Sequence, residues 1–542
     1  MRHIVIGLVF VTAVAPTLLP QACAGPVELI PGLGGLHHPV ATTHPEAQQF
    51  FDQGLMLLYA FNHDEAERSF RRAAELDPKL AMAWWGVALA KGSNYNLVAD
   101  AAAEKIAYDA IQTARRLADG ATAAEKAYID ALATRYSADG KVDRKLLAEN
   151  YSKAMGELSA RFPDDLDAAT LHAESLMNLR PWMLWTPEGK PEPGTEQIVA
   201  ILESVLQRYP EHPGANHYYI HAVEASPFPE RALPSALRLE TIAPAAGHLV
   251  HMPSHIYIRT GDFERAAVQN EKAIVADRAY LDRSGVKGIY SMMYYSHNIH
   301  FLAVARGMQG RYGDAMRAAN ELVAHVEPDV ADLPVLEFFL PTPILLQVKF
   351  RRWDELLARK EPPRSQLITR ALWHFGRGMA FAAKGQNQEA AAELDALQRT
   401  REMIPVDVKY GDRNTARDVL AVAESALEGQ IALARKDYSR AMEHLRAGVK
   451  AEDRLNYIEP ADWYLPVRET LGRVQLLAGD PAAAEGTFRA DLARNPRNPR
   501  SLLGLRESLR RQQKMHDAQC VDQEFRRAWH RTDQPELRLE DL

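Results

Sequence analysis

The chain has 542 residues, 47% of them apolar and 25% charged, with a formal net charge of −7. This is the balance of an ordinary soluble globular protein, and no Lys/Arg block or basic-aromatic alternation points to nucleic acid. At this length the chain is either several domains or a repeat array that grows without a single core.

Residues 1–24 read as an export leader. Arg2 and His3 give a polar start, residues 4–19 form an apolar run too short to span a bilayer comfortably, and Ala-Cys-Ala at 22–24 fits the small-x-small rule for cleavage before Gly25. Cleavage leaves no membrane span and leaves Cys520 without a partner for an internal disulfide. The expected location is the periplasm or outside the cell. Residues 25–45 follow as a Gly/Pro-rich arm carrying His37, His38 and His44.

From residue 46 the pattern is helical and periodic. Counting Ala47 as position 1, Gly54 falls at 8, Ala66 at 20, Phe70 at 24, Ala73 at 27 and Pro78 at 32. Small residues at 8 and 20 let two helices approach, Phe70 fills the space between them, and Pro78 stops the second helix. The spacing resembles the tetratricopeptide repeat, a pair of antiparallel helices in about 34 residues. The frame returns with Ala232, Ala236 and Pro244 in a unit from Pro213, and with Ala266, Asn270 and Ala273 in a unit from Gly247. Ala315 marks a unit from Ser296, and later units pair Gly378 with Ala390, Gly429 with Ala441, and Gly472 with Ala484, Phe488 and Pro496. The expected fold is all-α, a helical-hairpin solenoid wound as a right-handed superhelix. Its expected parts are an array at 46–358 and a more generic array at 359–542. No stretch of β-type alternation competes. Two segments exceed the repeat: 178–197, with four prolines and two tryptophans, and 279–295.

Within this frame the histidines fall into register. The resemblance implies that positions 2, 5, 9, 12 and 13 of each first helix line a concave groove. His217, His221 and Glu224 take positions 5, 9 and 12 of the unit from Pro213. His248, His251, His255 and Arg259 take 2, 5, 9 and 13 of the next, and His297 and His300 take 2 and 5 of the third. With 19 histidines in 542 residues, chance would place about 0.5 on these fifteen positions, and seven are there. Neutral imidazole is the commonest transition-metal ligand. Seven such rings without a ligand would leave many buried polar atoms needing partners. Nitrogen donors with one carboxylate suit Zn, Cu or Fe, and the absence of cysteine from the cluster excludes thiolate ligands there. Arg259, Tyr218 and Tyr294 are the expected contacts for an anionic or aromatic ligand beside the metal. His172 and His374 fall at packing positions and read as structural.

In the phrases NHYYIHAVE, LVHMPSHIYIRTGDF, YYSHNIHF and FRRWDEL the chain is similar to a bacterial secreted group resembling tetratricopeptide repeat protein 38. That resemblance implies the repeat fold and supplies no catalytic residue. The leading expectation is therefore an exported repeat protein whose groove binds a transition metal through the His/Glu cluster. The alternatives are a metal-dependent hydrolase or oxidoreductase using the cluster, and a metal-free scaffold that holds a protein or peptide in the groove. Neither a His-Glu-x2-His run nor a Gly-x-Ser-x-Gly elbow favours the enzyme.

Overall fold

The structure is a computed structural model that describes residues 26–534 and 536–542. The expected leader lies outside the described residues. Helical hairpins follow one another along the chain, for example Pro45–Tyr59 with His63–Leu76, Leu367–Ala383 with Asn387–Met403, and Ala416–Ala434 with Tyr438–Glu452. The all-α helical-hairpin solenoid is thus the fold. The exception among the described residues is a two-residue antiparallel hairpin, Lys409–Tyr410 with Asn414–Thr415, which the helical frame did not anticipate. No described helix is long and apolar enough to cross a membrane.

The small residues of the frame act as expected. A Cβ on Gly54 would lie 2.7 Å from the Phe70 ring, and one on Gly86 would lie 2.4 Å from it. Phe70 is therefore wedged between the first helices of two successive units. The same device recurs near the C-terminus, where Phe488 fills the space between Gly472 and Gly504, at 2.5 Å and 2.1 Å. One large ring against two glycines brings three helices to close packing.

The array does not stay open. Its last helix, Met515–Trp529, ends against the middle of the chain. Thr532 donates to the Gly310 carbonyl at 2.9 Å, and Asp533 accepts from the Tyr312 and Gly313 amides at 3.0 Å and 2.8 Å. Arg531 pairs with Glu264 at 2.5 Å. Further in, Tyr457 lies under the Arg259 guanidinium and Tyr464 packs on His300. Tyr457 and Tyr464 of the chain's own 456–464 loop thus reach onto the groove over the central helices.

The N-terminal arm is also anchored. His38 bonds Asp167 at 2.7 Å, and Asp167 in turn accepts from the Tyr59 hydroxyl at 2.6 Å. His212 completes this knot at 3.2 Å from Asp167. Burial opposes the charge on His38, but Asp167 beside it raises its pKa, and the two histidines hold the Asp167 carboxyl far below the usual range.

Candidate metal centre

Three consecutive first helices carry the histidines. Pro213–Val223 begins on Pro213 at its first turn, with His212 accepting from the Ala215 amide as its cap. It holds His217 and His221, and Glu224 sits at its C-terminus. The next first helix is broken by Pro253 into Gly247–His251 and Pro253–Arg259. Proline lacks the N–H that would continue the ladder. The break separates His248 and His251 from His255. The third helix, Ser296–Met308, follows directly on a π-helical turn, Tyr290–Tyr295, and carries His297 and His300.

Six of the seven rings converge. His217, His221 and His248 form one trio, and His251, His255 and His297 form another, with the candidate ligand atoms of each trio within 4.8 Å of one another. Glu224 joins the two. Its Oε1 lies 2.8 Å from His221 Nδ1 and its Oε2 lies 2.5 Å from His255 Nδ1. Burial works against the Glu224 charge, but His255 and His221 outweigh it and hold the carboxyl down at about 2.

The protons of four rings follow from these contacts. His217 Nδ1 faces the Tyr59 carbonyl oxygen at 2.6 Å, which can only accept. His251 Nδ1 faces Asn270 Oδ1 at 2.7 Å. The orientation of that amide is fixed, because Asn270 Nδ2 donates to Ser254 Oγ and the Ala266 carbonyl. His221 and His255 face the Glu224 carboxylate. In all four rings Nδ1 therefore carries a hydrogen, and in the neutral form of each ring Nε2 carries a lone pair. Yet His251 Nε2 and His255 Nε2 lie 2.8 Å apart, which sets two lone pairs against each other. His297 Nε2 is 3.1 Å from His251 Nε2, and His248 Nε2 is 3.2 Å from His217 Nε2. His221 Nε2 and His248 Nδ1 are buried without a partner. Burial and the neighbouring imidazoles lower the pKa of His217, His248, His251 and His297, so a proton on any of these four rings is an unfavourable remedy. A cation shared by the Nε2 atoms would resolve the conflict. Two metal–nitrogen bonds of ~2.0–2.1 Å place adjacent ligand atoms roughly 2.9–3.4 Å apart, close to the spacing found.

The surroundings are aromatic and dry. Phe61 packs on His217, His221 and His248 at 4.5, 5.9 and 5.4 Å between ring centres. Phe61 has φ +53 in an inter-helix turn, where the units at Gly261, Gly310, Gly385 and Gly479 place glycine. A left-handed phenylalanine costs about 1–2 kcal/mol, and here the cost places a ring beneath three imidazoles. Trp182, also at positive φ, packs on His221 together with Tyr95. Phe301 covers His251 and His255.

The remaining expected residues divide. Tyr294 packs edge-on against His248 at 5.0 Å, and its hydroxyl receives the Asn96 amide. Arg259 is close to the centre, but its guanidinium donates to the Glu224 and Ser226 carbonyls rather than facing an open site. Tyr218 points into the core against Tyr59, Phe61 and His217, because position 6 faces the helix pair and not the groove. His300 is not brought into either trio. It packs among Phe338, Phe339 and Tyr464, since the closing loops reach its end of the helix. Glu224, expected as a ligand, has both oxygens engaged by Nδ1–H groups.

Sequence reasoning missed the supports: Tyr59, Phe61, Tyr95, Trp182 and Asn270. A signal existed for two of them. Asn270 is a polar residue at position 24, where Phe70 and Phe488 are wedges, and Phe61 is an aromatic residue in a turn that four other units give to glycine. Trp182 and Tyr294 come from the two segments that exceeded the repeat, 178–197 and 279–295.

His300 yields a pH test that is separate from the trios. Burial pushes it down to about 3 from 6.5, so it is neutral in the fold while the unfolded chain takes a proton below 6.5. Its contribution is fully present above that value and is lost as pH falls toward the folded one, with a slope of ~1.4 kcal/mol per pH unit. In urea unfolding between pH 6 and 4, His300→Phe is expected to lose stability less steeply than wild type by about that slope. Equal slopes for the two proteins would contradict the assignment.

No protein-family model matches the chain, and no curated protein matches it. Among solved structures, it is similar to the human IFIT1 dimer with m7Gppp-AAAA at 12% identity and TM-score 0.33, over 90% of this chain and 91% of that one. It is similar to yeast Tom70 at 9% and 0.29, over 90% and 93%. The APC/C hetero-tetramer Cut9-Hcn1 gives 13% and 0.32, over 85% and 76%. Likeness at this level says nothing about a ligand.

Proposed function

We propose that this is an exported helical-repeat protein that holds a transition metal, Zn, Cu or Fe, in a buried histidine centre. One observation carries the reading: His251 and His255, each with Nδ1 engaged by a fixed oxygen acceptor, turn their Nε2 atoms toward each other at 2.8 Å. The donor set is all imidazole nitrogen with no thiolate, which suits these metals. The neighbours of the rings are the outer partners that metal-bound histidines usually have: a backbone carbonyl, a carboxylate and an amide oxygen. Export rests on the apolar run at 4–19 and the Ala-Cys-Ala site at 22–24.

Elemental analysis of the full chain, purified without chelator and then exposed to Zn and Cu salts, tests this. Wild type is expected to retain metal through gel filtration. The variant combining His217→Ala, His221→Ala, His251→Ala and His255→Ala is expected to retain none. Metal-free wild type, or equal metal in the variant, would overturn the proposal.

A further inference from the structure

The geometry points to two metal ions, one in each trio, with Glu224 as a shared outer support rather than a ligand. This rests on the metal reading above and specifies its number and arrangement.

The six imidazoles separate into two sets of three. The first combines His217 and His221 of one helix with His248 of the next. The second combines His251 and His255, either side of the Pro253 break, with His297. Each set thus bridges two successive repeat units and has its own pair of close Nε2 atoms, at 3.2 Å in the first and 2.8 Å in the second. Three imidazoles and an open fourth position make a familiar metal environment. The sets abut: His221 and His255 are 5.6 Å apart between ring centres, and His248 and His251 are 5.8 Å apart.

A single ion at the centre, between His221, Glu224 and His255, is the competing arrangement. The geometry disfavours it. The carboxylate oxygens there face ring nitrogens at 2.8 Å and 2.5 Å, the spacing of hydrogen bonds from Nδ1–H groups. An ion in that position would also strip Nδ1 of its proton and move it to Nε2, facing the other rings. With Glu224 as outer acceptor, each carboxylate oxygen instead fixes one imidazole of each trio in the ligating tautomer. The two sites are thereby coupled through one side chain.

The test is the number of metal ions per chain, measured by elemental analysis against amino-acid analysis on the full chain, with circular dichroism as the control for folding. Wild type is expected to hold two. His217→Ala with His248→Ala is expected to hold one, and His251→Ala with His297→Ala is expected to hold one. A single ion in wild type overturns the pair but leaves the metal reading standing. No metal overturns both. Loss of both ions from either double variant, with helicity unchanged, also overturns the two-site arrangement.

Discussion

Replacing Glu224 by leucine is expected to lower the stability of the metal-free protein by roughly 2–5 kcal/mol, as two buried Nδ1–H donors lose their acceptor at ~1–3 kcal/mol each. The carboxylate is 1% exposed, so water cannot substitute. Glu224→Gln separates this structural role from the role in metal binding. Its amide oxygen accepts from one imidazole, but its NH2 donates to the other. That second ring must then place its proton on Nε2, which removes a ligand. Glu224→Gln is therefore expected to unfold in urea near the wild-type midpoint while binding metal ~10–100-fold more weakly in competition with a chelator. If Glu224→Gln binds as wild type does, the tautomer argument is wrong.

The second large effect lies in the repeat itself. Phe488→Ala, which empties the space between Gly472 and Gly504, is expected to cost roughly 3–5 kcal/mol. Phe70→Ala makes the same change between Gly54 and Gly86. The consequences should differ in place, because repeat arrays are stabilised unit by unit through nearest-neighbour contacts. Phe488 belongs to the C-terminal units, and its loss is expected to raise amide exchange across 467–529 while leaving metal content intact. Phe70 packs on Phe51 in the same core cluster as Tyr59, which supports His217. Its loss is expected to raise exchange around the histidine cluster as well. Uniform exchange changes in both variants would contradict a unit-by-unit array.

What was legible in the sequence is what periodicity encodes. Gly, Ala and Pro positions gave the hairpins, and the register then placed His217, His221, His248, His251, His255 and His297 on one face. Periodicity says which way a residue points and nothing about what distant chain covers it. That is why His300 was placed in the cluster, although the 334–339 turn and Tyr464 enclose it. Glu224 was found by its spacing, and spacing alone cannot tell a ligand from the group that holds a ligand. The tautomers depend on Tyr59 and Asn270, which join the site from other helices and carry no motif.

X-ray absorption at the edge of the bound metal is the most direct test of the centre. The account gives a first shell of imidazole nitrogen at ~2.0–2.1 Å, with the outer-ring scattering of several histidines and no sulfur. A shell dominated by carboxylate oxygen, a sulfur scatterer, or a spectrum unchanged when the six trio histidines are replaced would contradict it.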